Sequence, residues 1–441
     1  LGQEATHRLR FGIQSPAASV IQQNHICIAG VLRHGGATAI EPLLASMTNN
    51  KGHADPDNEL VPFSKLDQLH VARFVILDDH SLADRKFAEA LPVREPIYIA
   101  FVADFDGAVD ALINDLLRFA GSGLKQIFSH CRDFHDHTDL QRWIQTHRVR
   151  SAANYVNWVG RGVQQIRQEA ELHDALRSAR LAHPNAEPEE LLTILRNAGA
   201  GVELSPIELR SFGERLREAV HFLLLPLAGM ILLPLLPILA PVFAIMLRRR
   251  EKRDPVIAPV PSPARNQLLR EQEDHDITNQ YSALGSLKPG LFRRWLTVSI
   301  LWIINWGARH IYNKGRLARV NTIHFASWTF FDDKRRVYFA SNYDGSREAY
   351  NDDFINKVAF GLNLSFSNGL GYPRTRWLIL DGAWHEQDFK RYLFNHQLPT
   401  QVWYKAFPGL SSYDMARNAR IRDGFEKKLA GDELRRWIAE I

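Results

Sequence analysis

Only two cysteines, Cys27 and Cys131, occur in 441 residues. That excludes a disulfide framework and a four-cysteine zinc site, and it fits a reducing compartment. The chain also lacks GxSxG, HExxH, a P-loop and a GxGxxG in Rossmann context, so hydrolase, zincin, NTPase and NAD-dehydrogenase chemistry carry little weight. The formal charge of +5 is small and dispersed except for one run, and no nucleic-acid partner is expected. Residues 1–20 hold His7, Arg8, Arg10 and Gln14 and no apolar h-region, so no secretory leader is expected there. A disordered chain is excluded by 45% hydrophobic residues and ten tryptophans, enough to build packed cores.

The most informative absence is local. From Val220 to Leu247 there is no Asp, Glu, Lys or Arg, and the run ends on Arg248, Arg249, Arg250, Lys252 and Arg253. Such a stretch is long enough for a hydrocarbon core of about 30 Å, and the basic cluster suits anionic headgroups on the cytoplasmic side. Phe222, Leu225, Met230, Leu236 and Phe243 are the expected lipid contacts. The other reading is a buried core helix or an oligomer interface. Pro226, Pro234, Pro237 and Pro241 interrupt the run. Each removes a backbone donor, so a bent, re-entrant or monotopic segment is expected, breaking near Pro234 to Pro237. Downstream, Trp295, Trp302 and Trp306 share a helix face flanked by Arg293, Arg294 and Arg309. They form either a second interfacial stripe or the packed face of an ordinary helix. Pro255, Pro259, Pro261 and Pro263 make a stiff linker.

The two ends of the chain resemble each other. HVARFVILDD at 70–79 matches HFASWTFFDD at 324–333. The segment from Phe101 to Gly107 matches that from Phe339 to Gly345, and the segment from Asp139 to His147 matches that from Asp388 to His396. The order is kept, which indicates an internal duplication. In each copy the periodicity predicts βαββαβ. In the first, strands are expected at 25–32, 70–77, 96–103 and 124–129, with helices at 37–47 and 109–119, the latter stopped by Gly121 and Gly123. In the second, strands are expected near 280–287, 322–331, 337–341 and 362–367, with helices near 290–311 and 346–358. The expected fold is α+β: two tandem ferredoxin-like lobes forming a pseudo-dimeric α+β barrel around an apolar helical insert. The segments are 1–205, 206–266 and 267–441.

This element order resembles the dimeric α+β barrel superfamily, which includes dye-decolorising peroxidases, chlorite dismutases and small monooxygenases. The IHFA…FFDD and SNYDGS blocks are also similar to those of an uncharacterised bacterial family. The resemblance spans both lobes and leaves out the apolar insert. It implies a membrane-associated, haem-dependent peroxidase- or oxygenase-like redox enzyme acting on a lipophilic small molecule, with haem b in the second lobe. His324 and His396 are then the candidate iron ligands, and Arg374 and Asp344 the groups assisting O–O cleavage. The sequence departs from the peroxidase GxxDG motif, because Ala340 to Gly345 lacks the first glycine. Asp344-Gly345 also has a twin in Asp106-Gly107, which favours a turn and helix start. The histidine pairs His70/His324 and His147/His396 have a structural reading as well, as packing and helix-end residues. His130, Cys131, His135 and His137 lie close enough to hold a transition metal, or they form a polar surface loop. Two other functions remain open: a non-catalytic membrane-bound scaffold subunit, in a homo-oligomer or membrane complex, and a cofactor-free lipid-binding protein.

Overall fold

The computed structural model describes residues 23–50, 52–78, 96–206, 211–274 and 276–441. The segment read for a leader, 1–20, lies outside them. The fold is mixed α+β. The strands are β1 Gln23–Val31, β2 Thr48–Asn50, β3 His53–Ala54, β4 Leu69–Leu77, β5 Tyr98–Asp106, β6 Ser151–Val156, β7 Thr278–Ser286, β8 Ile323–Phe331, β9 Arg336–Asp344, β10 Thr375–Arg376, β11 Leu380–Asp381 and β12 Val402–Lys405. The helices that position the site are α1 Gly36–Ala45, α2 Val109–Phe128, α3 Leu140–His147, α4 Val163–Ala182, α5 Pro188–Gly199, α6 Phe212–Leu232, α7 Leu236–Arg253, α8 Pro263–Glu271, α9 Leu291–His310, α10 Arg347–Phe366, α11 Glu386–His396, α12 Ser412–Phe425 and α13 Gly431–Glu440.

One sheet has the order β1-β5-β4-β12-β3-β2 and a second the order β6-β8-β9-β7, while β10 and β11 form a small ribbon. No closed sheet forms among the described residues. Instead the two open sheets pack face to face. Alternation along β1 sends Ile26 and Ile28 outward to the helices α1 and α2, and Cys27 and Ala29 inward. There they meet Leu284, Phe331, Tyr338 and Ala340 of the other sheet. The buried guanidinium of Arg73 crosses this seam. It donates to the carbonyls of Tyr281 (2.8 Å) and Ser341 (3.1 Å) and to Asn342.

Each sheet takes a strand from the other half of the chain. β12 pairs with β4, setting Tyr404 opposite Ala72, and β6 pairs with β8, setting Tyr155 opposite Ala326. The joints match bond for bond. Ala406 N donates to His70 O, and Asn157 N donates to His324 O. His70 Nε2 lies 2.8 Å from Asp106 Oδ1, and His324 Nε2 lies 2.6 Å from Asp344 Oδ1. The second oxygen of each aspartate accepts a backbone N–H at the start of a helix, Val163 N at 2.6 Å and Ser412 N at 2.7 Å. The glycines that follow need left-handed backbone, with φ of 87° at Gly107 and 86° at Gly345. Each Asp-Gly therefore turns the chain and ties a strand histidine to a helix N-terminus. The boundaries near 205 and 267 do not separate two independent sheets.

Two expected strands are helix. Residues 124–129 belong almost wholly to α2, and 362–367 to α10. In α2 the buried residues Leu116, Ala120, Leu124, Ile127 and Phe128 keep helical spacing straight through the glycines. Gly123 does not stop the helix; it allows close approach, since a Cβ there would lie 2.0 Å from Leu60 O. In α10 only Val358 departs from helical backbone (φ −142°, ψ 26°), and the helix continues beyond it.

Because the two aspartates do the same job, Asp106→Ala and Asp344→Ala should each lower stability by about 2–4 kcal/mol, read as a shift of the urea midpoint. A midpoint unchanged in either variant would mean that its joint holds nothing.

Candidate functional site

Among the described residues one helix, Phe212–Arg253, is long and apolar enough to cross a membrane. It consists of α6 and α7 joined by a single 3-10 turn at Leu233–Leu235, and because Leu232, Leu233, Leu235 and Leu236 keep right-handed helical backbone, the break expected near Pro234 to Pro237 amounts to this one turn. Both of its ends rest on α9. At the first foot Arg309 Nε donates to Glu218 (2.9 and 3.1 Å), Trp306 Nε1 donates to Phe222 O (3.0 Å), and the Phe222 and Trp306 rings stack at 5.4 Å. At the second foot Phe243 meets Phe292 at 5.6 Å, and Leu247 packs with Ile300 and Leu378. Residues 222 and 243 thus touch 306 and 292, so the segment runs antiparallel to α9. At 1.5 Å per residue it is about 32 Å long against about 21 Å of α9. Between the feet, residues 229–243 are exposed on every side, with Ile231 73% and Ile238 69% exposed. The apolar run is an arch standing off the protein.

Of the expected lipid contacts, Met230 and Leu236 lie on this span, and Phe222, Leu225 and Phe243 sit at the feet. Trp295 and Trp302 are exposed on α9, whereas Trp306 is taken up by the first foot. The ribbon β10–β11 and the turn after it expose Trp377, Ile379, Leu380 and Trp384 beside the second foot. Trp377 and Leu378 have φ of 55° and 65°, costly for such side chains. The fully buried carboxylate of Glu251 holds this turn. It accepts from Trp377 N (3.0 Å), Leu378 N (2.8 Å) and Thr375 Oγ1 (3.2 Å), with Arg248 Nη1 at 3.0 Å. Next to it, Asp254 Oδ2 accepts from Lys288 (2.8 Å) and Arg293 (2.7 Å).

A cavity of about 330 Å³ lies between the outer face of the four-stranded sheet and the helices α9 and α10. Its wall includes Ile304, Phe339, Phe354 and Phe366, and no Asp, Glu, Lys or Arg. It reaches the surface at half-exposed Phe360 and includes Leu225 of the arch's first foot. Three polar side chains in the wall, Tyr281, Trp328 and Asn351, are buried, and the Tyr281 hydroxyl, Trp328 Nε1 and Asn351 Nδ2 have no hydrogen-bond partner among the described residues. Burial pushes the Tyr281 hydroxyl pKa far up, so it stays protonated and able to donate.

The proposed haem groups are not brought together. His396 lines this cavity, with Nδ1 2.7 Å from Tyr392 O and its ring tilted against that of Tyr392 at 4.2 Å. His147 repeats the arrangement on Trp143 O at 2.9 Å and the Trp143 ring at 3.9 Å, so the shared geometry is a helix-end device. His324 lines a separate cavity of about 30 Å³ with His70. Asp344 serves the turn described above, and Arg374 donates to Asp254 O (3.1 and 2.6 Å); neither lines the larger cavity. These residues do not fit a haem with an axial histidine and an assisting acid–arginine pair.

The proposed metal loop is also corrected. Among the described residues no group of three His, Cys, Asp or Glu side chains is placed to hold a metal ion. Cys131 turns into the core against Gly30 and Trp143, and burial pushes its thiol up to about 12, whereas metal ligation needs the thiolate. His130 Nδ1 is near its own helix-end carbonyls, 3.2 Å from Gln126 O.

The chain matches no family model, no curated protein and no solved structure.

Two outcomes test the second foot. Glu251→Gln places an amide N–H against backbone donors, so amide exchange at Trp377 and Leu378 should accelerate at least about tenfold while β8 and β9 keep their protection; equal protection in all of them would discount the lock. Burial holds the Lys288 ammonium at about 8, below its usual 10.5, although Asp254 raises it. The unfolded chain therefore binds more protons above pH 8, and this site's contribution to stability rises with pH towards 10.5. Urea midpoints between about pH 7.5 and 9.5 should show that rise, and Lys288→Met should flatten it.

Proposed function

We propose that this chain is a monotopic membrane protein that takes a lipophilic ligand from the bilayer into the cavity beside α9 and α10. The observation that carries the reading is the cavity wall itself: Leu225, at the foot of the exposed apolar arch, is one of its residues. The arch apex enters the hydrocarbon region and returns, leaving both feet on one body. Apolar side chains such as Leu232, Leu235, Leu236, Ile238 and Leu239 contribute about 1.5–3 kcal/mol each when fully removed from water, which is ample for stable anchoring. Trp302, Trp377 and Trp384 surround the feet at headgroup depth. The exposed Arg249, Lys252 and Arg253 meet anionic headgroups, as on a cytoplasmic leaflet. A bilayer is the reason for an apolar surface of this size.

The finer fold reading belongs with this proposal. The matched sequence blocks, the matched joints at Asp106 and Asp344, and the reciprocal pairing of β6 and β12 support two tandem ferredoxin-like lobes of the dimeric α+β barrel kind, with the insert grown from between them. The cofactor-free lipid-binding reading follows from an apolar cavity lined by no Asp, Glu, Lys or Arg, and nothing in it calls for a redox step.

Flotation of the full chain with phosphatidylcholine–phosphatidylglycerol vesicles tests the anchor. The native chain should float, and the double variant Leu235→Asp, Ile238→Asp should stay behind with an unchanged urea midpoint, because both side chains are exposed. If the double variant floats as well as the native chain, the arch is not the anchor. For the cavity, Ala283→Phe should abolish uptake of a pyrene-labelled acyl methyl ester while leaving flotation intact.

A further inference from the structure

From Ile277 to Phe331 the chain carries seven Lys or Arg and no Asp or Glu. Three of the seven have acidic partners from elsewhere: Lys288 and Arg293 meet Asp254, and Arg309 meets Glu218. Lys314, Arg316 and Arg319 do not. They stand exposed in the connection between α9 and β8 and form no ion pair among the described residues. The acids that α6 brings to this corner are engaged, Glu214 in the cap at Ser211 and Glu218 with Arg309, while Arg215 and Arg217 add two exposed cations.

The same connection supplies part of the cavity wall. Leu317 and Ala318 line the cavity together with Ile311 and Tyr312. Leu317 N donates to Val320 O (2.9 Å) and Val320 N to Leu317 O (3.0 Å), closing a tight turn with Ala318 (φ 55°) and Arg319 at its tip. Arg316 and Arg319 therefore directly flank two wall residues. Three wall residues are exposed, Ile303 44%, Ile311 57% and Phe360 49%, and Ile311 brings the opening to the basic connection. The strands fix the other end. Tyr281 and Ala326 share the partner Ser341 near the start of β8, where the connection leads. Gly285 lies four residues further along β7, about 13 Å away, and a Cβ there would come 3.0 Å from the His396 ring. The cavity is thus a slot that opens beside unpaired cations and ends against buried Tyr392 and His396.

A wall without Asp, Glu, Lys or Arg offers nothing to offset an ionised head, and a lone buried charge is strongly penalised. At the wet rim the cost vanishes, and guanidinium forks match a carboxylate or phosphate. The cavity's size, about 330 Å³, is small for a ligand pocket, where roughly 300–1,000 Å³ is usual, and suits one chain rather than two.

We propose that the ligand is a single-chain amphiphile with an anionic head, a carboxylate or a phosphate, held by Arg316 and Arg319 at the rim while its chain lies in the slot towards His396. The inference rests on the lipophilic-ligand reading above and names the ligand's class and orientation.

The test uses the full chain in phosphatidylcholine vesicles at pH 9, with radiolabelled palmitate, hexadecyl phosphate, methyl palmitate and hexadecyltrimethylammonium, each measured against empty vesicles. At least one of the two anions should bind at about one per chain and more tightly than the ester or the ammonium. The double variant Arg316→Gln, Arg319→Gln should weaken that anion roughly five- to tenfold and leave the ester unchanged. Lys428→Gln, Arg436→Gln removes two exposed cations near the C-terminal end and should change neither, which separates a site from net charge. Ala283→Phe should abolish binding of anion and ester alike. If the ester or the ammonium binds as tightly as both anions, or if the two double variants act alike, the inference is overturned while the lipophilic-ligand reading survives. Anion binding that persists in Ala283→Phe also overturns it, since the chain then lies elsewhere. If no probe binds above empty vesicles, the lipophilic-ligand reading fails as well.

Discussion

The exchange of strands between the two halves governs the rest of the molecule. With β6 built into the sheet of β7, β8 and β9, and β12 built into the sheet of β1, β4 and β5, the halves cannot part without breaking both sheets. The buried Arg73 guanidinium strengthens the bond across the seam. Burial lowers its pKa, yet four acceptors on β7 and β9 surround it, and removing such a group's partners is far costlier than leaving the set intact.

That interlock constrains the apolar segment between the halves. Both ends of the segment belong to one body, and both rest on α9. The feet are held differently. The first uses Arg309–Glu218 and aromatic stacking; the second uses the buried carboxylates Glu251 and Asp254. The second foot also presents the strained Trp377–Leu378 turn, so the same carboxylate that fixes α7 fixes the exposed aromatic collar. The apolar arch, the exposed aromatic side chains and the cavity all border α9.

The two halves differ most on the outer faces of their sheets. The joints at Asp106 and Asp344 are alike in partner and distance, because a misplaced helix start disrupts either half equally. The outer faces are unlike. Beneath α1 the apolar positions close a core, whereas beneath the twice-longer α9 the wall opens and gains polar tips.

Much was legible in the sequence by itself. The mixed α+β class, the repeated blocks, the uncharged run with its proline break and the Asp-Gly turns are local signals, set by side-chain periodicity and by the few residues that tolerate special backbone. The fourth strand of the first half was misplaced because Gly121 and Gly123 look like helix stops, whereas Gly123 allows a tertiary approach to Leu60 and Gly121 meets no neighbour. The metal and haem groupings failed for a similar cause: spacing along the chain said nothing of Cys131 turning into the core, or of His324 and His396 facing separate cavities. The change from Phe74 to Trp328 stood in the aligned repeats, but only packing shows that the indole N–H meets no acceptor. Tertiary structure alone decided which strands exchange, where the arch comes to rest and which face stays open, because these depend on contacts between residues from tens to hundreds of positions apart that no local pattern encodes.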